Sequence, residues 1–258
     1  MSTHFVSANI RFENPADKDN NWPHRKAFLT ELISSKNPMI LGTQEGREPQ
    51  LRELESLLPT LTMIDGHRTW IEERMYPCLF INSKAIEVIN SGDIWLSETP
   101  DIAGSKSFSS AFPRLCVWAS LKIKSTEKEF LAINCHLDHV KEETRVEQVK
   151  VLACEIKKVN KENKPIMLMG DFNSSPDGVV RSHLISHLPL LDPWQMAGKK
   201  ERTSFHKFDG ISPDGSESRI DWILFSEQFR GLEIEMLDQH SNGQYPSDHF
   251  FMYAKADL

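Results

Sequence analysis

The chain has 258 residues, 39% of them apolar and 26% charged, with 12 Gly and 14 Pro dispersed along it; this excludes collagen-like, coiled-coil and disordered chains and suits one large α/β domain over 1–258. Its 30 basic and 37 acidic side chains leave a formal charge of −7, which excludes a protein that coats nucleic acid by neutralising phosphates but not a nuclease with a local basic rim. The N-terminus lacks a basic segment followed by an apolar stretch, and no run approaches a membrane span, so a cytoplasmic monomer with no membrane partner is expected.

Short apolar runs bounded by turn residues read as strands at 5–10, 39–41, 78–81, 115–121, 130–135, 166–169, 220–225 and 250–253. After the first, Pro23 opens a helix in which Phe28, Leu29, Leu32 and Ile33 share a face, closed near Asn37-Pro38. A longer helix covers about 141–159, where Val146, Val149, Leu152, Ala153, Ile156 and Val159 recur at helical spacings. Strands alternating with helices early, then strands joined by loops, predict an α/β sandwich with mixed sheets rather than a parallel barrel. Trp95 and Trp118 read as core, and the loops 104–111 and 205–218 are candidates to close over a substrate. Cys78, Cys116, Cys135 and Cys154 lie apart in apolar neighbourhoods, which predicts buried reduced thiols. The basic runs Lys157, Lys158, Lys161 and Lys199, Lys200, Arg202 read as solvated surface.

Polar residues interrupt the apolar runs at particular places. Asn9, Glu45, His136 and Asp171 fall at or just past the C-terminal end of a run, which sets them along one sheet edge if those strands are parallel. Asp221 and the Asp248-His249 pair stand at the start of their runs and reach the same edge only if the last strands are antiparallel to the first. In Met169-Gly170-Asp171-Phe172-Asn173 a buried strand stops with a carboxylate and an amide two residues apart, a pair able to orient and deprotonate a water, or simply to make an Asx turn. A histidine beside a phosphoryl group needs a carboxylate to set its tautomer, and Asp221 is the candidate partner of His249. Glu45 past its apolar strand is a charge that pairing or a metal must justify, and the oxygen-rich set Asn9, Glu45 and Asp248 suits Mg2+ or Mn2+ better than zinc. The segment Asn134-Cys135-His136-Leu137-Asp138-His139 imitates a dinuclear zinc motif, but asparagine replaces its first histidine and no zinc-style partners follow.

The ordered set Asn9, Gln44-Glu45, Asn134 to His139, Gly170-Asp171-Phe172-Asn173, Arg219-Ile220-Asp221 and Ser247-Asp248-His249 resembles the endonuclease/exonuclease/phosphatase superfamily over nearly the whole chain. The resemblance implies a four-layered α/β sandwich, two mixed β-sheets packed face to face with helices outside, and Mg2+-dependent phosphoester hydrolysis by in-line attack of an activated water. Asn9-Ile10-Arg11, Asn21-Trp22-Pro23-His24-Arg25, Trp95-Leu96-Ser97-Glu98-Thr99-Pro100 and His136-Leu137-Asp138-His139 are similar to a bacterial branch related to deadenylase-like exonucleases. Carried onto matching positions, the resemblance implies that Glu45, helped by Asn9 and Asp248, holds Mg2+, and that Asp171 and Asn173 position or activate the water. It further implies that His249, backed by Asp221, meets a phosphate oxygen or transfers a proton, and that His136 adds a hydrogen bond. Arg114 and Arg25 are the expected clamps on the substrate phosphate. Arg11 stands where the abasic-site members carry Asp, which implies a single main metal site. The implied substrate is a phosphodiester, single-stranded nucleic acid or a nucleotide; a small phosphorylated molecule and an inactive binding scaffold are the alternatives.

Overall fold

The computed structural model, which describes residues 2–258, has two sheets of six strands each. The first contains β1 (Thr3–Asn9), β2 (Ile40–Gly46), β3 (Thr62–Met63), β4 (Tyr76–Ile81), β11 (Arg230–Leu237) and β12 (Phe251–Asp257), in the order β11-β12-β1-β2-β4-β3. The second contains β5 (Ile86–Trp95), β6 (Leu115–Ile123), β7 (Glu129–His136), β8 (Ile166–Asp171), β9 (Leu190–Leu191) and β10 (Asp221–Ser226), in the order β5-β6-β7-β8-β10-β9. Each sheet is mixed: β1 with β2 and β7 with β8 are the parallel pairs, and the others are antiparallel.

Three apolar cores separate four layers, the expected architecture. Phe5, Ile40 and Leu79 of the first sheet meet Val117, Met167 and Ile223 of the second in the middle. Helices α1 (Trp22–Ser35) and α2 (Glu48–Leu57) cover the outside of the first sheet, where Leu29, Ile33, Leu51 and Leu54 pack on Val6, Ala8 and Leu41. Helices α3 (Glu142–Val159) and α4 (Val179–His187) cover the second, with Val149, Leu152, Ile156 and Leu184 on Ile133, Leu168 and Trp222. Central strands are therefore buried on both faces, which is why they read as continuous apolar runs. Helix α1 starts where Asn21 accepts the Trp22 N–H with Pro23 in the first turn, and it ends before Asn37 turns left-handed ahead of Pro38. In α3, Glu142 and Glu143 open the helix and Lys157 and Lys158 close it, each sign matched to the end of the helix dipole it faces.

Two expectations change. Cys78, Cys116 and Cys135 are buried free thiols, but Cys154 is exposed, because it lies on α3 away from the stripe packed on the sheet. The four residues placed on one sheet edge are divided between two sheets: Asn9 and Glu45 belong to β1 and β2, His136 and Asp171 to β7 and β8. The antiparallel requirement does hold. Strand β12 runs against β1, and β10 runs against β8 with Asp221 directly opposite Asp171. Among the described residues no helix is long and apolar enough to cross a membrane.

Gly170 lets β7 and β8 approach. Its φ is +152°, and a Cβ there would stand 2.2 Å from the Cys135 carbonyl oxygen, a clash with backbone that cannot swing aside. Gly170→Ala is expected to cost about 3 kcal/mol or more in chemical denaturation. An unchanged midpoint would mean that the two strands can part freely.

Candidate active site

Side-chain parity aims most of the polar residues at one place. Alternate residues of a strand share a face, so Asn9 points the same way as Phe5, Asp171 as Met167 and Met169, and Asp221 as Ile223 and Phe225, all of which lie in the core between the sheets. His136 follows Phe130 and Ala132 in the same manner, and Asp248 reaches the cleft from the bend before β12. Each of these carboxylate, amide and imidazole groups thus extends the central core to one rim of the sandwich. Glu45 has the wrong parity relative to Ile40; a left-handed φ of +69° and a break in the β2–β4 register after Thr43 turn it to the rim. Beneath the rim Gln44 Nε2 donates to Asn134 Oδ1 at 2.7 Å and to Ser7 Oγ at 3.2 Å, and Asn134 Nδ2 donates to the Thr43 and Cys78 carbonyls at 2.8 Å, a polar floor joining the sheets.

On that floor Asn9 Nδ2 donates to Asp171 Oδ2 at 2.9 Å and to Glu45 Oε1 at 3.2 Å, while its Oδ1 accepts the Arg11 backbone N–H at 3.1 Å. In this arrangement the amide NH2 spaces two carboxylates, and Oδ1, which has two lone pairs, keeps one beyond its bond to the backbone. Asp171 is buried, and burial together with the charge of Asp221 pushes its carboxyl up to about 7, against the pull of His249 and the Asn173 backbone N–H. Asn173 has φ +48° and is pinned by its Nδ2 bond to the Leu137 carbonyl at 3.1 Å.

Two histidines flank Asp171 in opposite states. Burial alone disfavours charge on His249, but Asp221 accepts its Nδ1–H at 2.9 Å and, with Asp171 and Asp248, holds the ring up to about 10. It is an imidazolium at neutral pH, with Nε2 3.9 Å from Asp171 Oδ2. His136 Nε2 is 3.4 Å from the same oxygen, yet burial and the Arg114 charge push this ring well below its ordinary value. A neutral ring and a charged one stand on either side of one carboxyl.

Oxygens of Glu45 and Asp171 and a ring nitrogen of His249 lie within 4.8 Å of one another, a grouping of the size that holds an ion. His249 Nδ1 donates to Asp221, which leaves Nε2 as the one ring nitrogen able to face an ion. Glu45 and Asp171 give the group two carboxylates, and Asp248 also lines the cleft. Burial raises the Asp248 carboxyl, and Glu45 raises it further against His249, Arg11 and Arg25. A hard divalent cation fits such crowded carboxylates. The zinc-like segment does not offer one: Asp138 accepts the backbone N–H groups of Ala111, Val140 and Lys141 and the Ser110 hydroxyl, and so anchors loops.

The two expected phosphate clamps part company. Arg114 lies in the cleft wall, 7% exposed; its one side-chain partner among the described residues is His139 at 3.3 Å, its Nε has none, and burial lowers its pKa. A buried guanidinium so poorly paired is costly until an anion joins it. Arg25 is corrected from clamp to staple. It is wholly buried, lies outside the cleft lining and donates to the carbonyls of Asn20, Ile10, Pro246 and Arg11, which ties the segment after β1 to the one before Asp248. Arg11, with φ +52°, forks onto Asp17 at 2.9 and 3.1 Å and stands 3.9 Å from Glu45 and 3.8 Å from Asp248.

The cleft has a volume of about 600 Å³ and is lined by Arg11, Glu45, Arg114, His136, Asp171, Asn173, Asp248 and His249 together with Phe12, Met75, Phe112, His139, Phe205, Lys207 and Phe208. Phe112 stacks on His139 at 5.8 Å, and Phe205 tilts over His249 at 4.9 Å. Sequence patterns do not reveal this aromatic wall, because Lys207 and Phe208 enter through consecutive left-handed residues in a loop.

A model of the Endonuclease/Exonuclease/phosphatase family matches residues 6–249. Among solved structures, a mannosyl-6-phosphatase from Bacteroides thetaiotaomicron is 28% identical over 99% of this chain and 100% of that one, with a TM-score of 0.89. An endonuclease/exonuclease/phosphatase from Bacteroides vulgatus is 29% identical over 100% and 99% of the two chains, also at 0.89. The human nocturnin catalytic domain, solved with a sulfate anion, shares the fold at 21% identity, 99% and 93% coverage and a TM-score of 0.74. Sequence comparison with curated proteins finds no match.

Proposed function

Because the chain belongs to the endonuclease/exonuclease/phosphatase family, and so to the metal-dependent phosphoester hydrolases, we propose that it cleaves phosphate from small phosphorylated molecules, sugar phosphates in particular, with Mg2+ or Mn2+ held by Glu45, Asp171 and Asp248. The observation that carries this reading is Arg114, a buried, underpaired guanidinium in the wall of a bounded cleft. It asks for one compact anion. The nuclease-like reading would need a basic track beyond the cleft, yet Lys158 pairs with Glu155, Lys200 with Glu217 and Arg202 with Asp238, and none of these lines the cleft. The likeness to a mannosyl-6-phosphatase supports the same choice.

A bound divalent ion would supply positive charge to the phosphate oxygens and the leaving oxygen. The chain's own groups do the rest. Arg114 and the neutral His136 ring bind non-bridging oxygens. Asp171 takes the proton of the attacking water, and Asn173 orients that water. His249 meets the charge that grows on phosphorus-bound oxygen, with Asp221 stabilising its charged ring.

A panel of hexose phosphates, a chromogenic phosphodiester, single-stranded RNA and single-stranded DNA, each with Mg2+, tests the reading. Sugar monoesters are expected to turn over fastest. Preference for oligonucleotides with a steeply salt-dependent KM would overturn it. Arg114→Ala is expected to lower kcat/KM about a hundredfold and to abolish inhibition by inorganic phosphate; a wild-type inhibition constant would remove Arg114 from the site.

A further inference from the structure

We infer that Ser204 is a positioning residue that aims the Asp221–His249 pair, an inference resting on the reading of His249 as a working group of the site. Ser204 lies in the loop before β10, is wholly buried and is not part of the cleft lining. A serine hydroxyl has one proton and two lone pairs, and here each is spent on the segment that carries Asp221. The proton goes to Asp221 Oδ2 at 2.7 Å, while Oγ accepts the backbone N–H of Ile220 at 2.9 Å and of Asp221 at 3.2 Å. Ser204 also reaches the other half of the pair, because its carbonyl accepts the Phe250 N–H at 2.7 Å and the next residue, Phe205, bridges His249.

Asp221 has little else to hold it. Oδ2 receives Ser204 and His249 Nδ1, and Oδ1 has no hydrogen-bond partner among the described residues. A buried carboxylate with two donors on one oxygen is free to turn about its Cα–Cβ and Cβ–Cγ bonds once either donor is lost. The ring of His249 would turn with it, since Nδ1 follows the carboxylate. The loop is itself anchored from behind: Glu201 pairs with Arg219 Nε at 3.0 Å, and Arg219 also binds Asp192. Ser204 is thus the contact at which a buried ion-pair network meets the two halves of the site.

The test uses Ser204→Ala, Ser204→Cys and Ser204→Thr in the full chain. Removing a group that orients a working residue typically costs on the order of 10- to 100-fold. Ser204→Ala is expected to lose that much kcat on the best substrate of the panel with KM unchanged, and the hydroxyl of Ser204→Thr to restore most of it. In 15N-edited NMR of the metal-free protein at fixed pH, the His249 Nδ1–H resonance is expected far downfield in the parent and displaced or lost in Ser204→Ala. Should the alanine variant not fold, Ser204→Cys, close in size with a weak donor, is held to the same criteria. An unmoved resonance, or a lower melting temperature with kcat intact, overturns the proposal. A displaced resonance in a protein inactive on every phosphoester would support the positioning role while removing the proposed function.

Discussion

His249→Ala and Asp171→Asn are each expected to lower kcat about a thousandfold or more while leaving the fold intact, as judged by circular dichroism and the melting temperature. The geometry explains why both should matter. Asp171 is the point at which Asn9, His136 and His249 converge, and its carboxyl is pushed up to about 7 by burial and by Asp221. In the proposed mechanism the carboxylate takes a proton from water, whereas an amide can orient water but cannot take its proton. His249 carries the opposite duty in that mechanism. Its charge survives burial because Asp221 lies 2.9 Å from Nδ1, so alanine removes a cation and leaves a buried carboxylate with Ser204 as its remaining side-chain donor. His136→Ala should be milder and fall mainly on KM, because a neutral ring offers one hydrogen bond and no charge. A folded Asp171→Asn enzyme with near-parental kcat would show that the proton goes elsewhere.

The difference between the two histidines was not legible in the sequence. His136 and His249 both border apolar strands, and local pattern treats them alike; what separates them is a tertiary neighbour, Arg114 for one and Asp221 for the other. The fold itself was legible wherever strands are buried on both faces. Strands β5 and β11 escaped notice because each is the end strand of its sheet: Glu87, Val88, Ile89 and Asn90 of β5 are exposed, and Arg230, Gly231, Glu233 and Glu235 of β11 are outward and polar. Such strands give no apolar run to detect. Arg25 misled for a related reason. An arginine in a polar, asparagine-rich segment looks available to a phosphate, and only the closed structure shows its donors consumed by four carbonyls. Glu45 was singled out from its position past a strand, although the feature that turns it to the cleft, a left-handed residue at a register break, has no signature in composition.

Metal binding should compete with protons at Asp171, and this second large effect can be read without any substrate. In the metal-free protein the folded-state pKa of Asp171 is raised from 3.8 to about 7 and that of His249 from 6.5 to about 10. A raised folded pKa contributes stability that is complete below the unfolded value and is lost as pH rises through the folded one. Asp171 therefore loses its contribution between about pH 4 and pH 7, and His249 between about pH 6.5 and pH 10, so the metal-free melting temperature should fall as pH climbs across both windows. A divalent ion held by Glu45, Asp171 and Asp248 replaces the proton that Asp171 otherwise keeps. Below pH 7 the ion must displace that proton, and its affinity should weaken about tenfold per pH unit if one proton is released. At a concentration one hundred times the dissociation constant the ion stabilises the fold by about 2.7 kcal/mol, so a fixed Mn2+ concentration should raise the melting temperature more at pH 8 than at pH 6. Asp171→Asn should bind more weakly and lose most of that pH dependence, since an amide has no proton to exchange. An equal thermal shift at both pH values in the parent protein would place the ion away from Asp171, and the carboxylate would then serve the water alone.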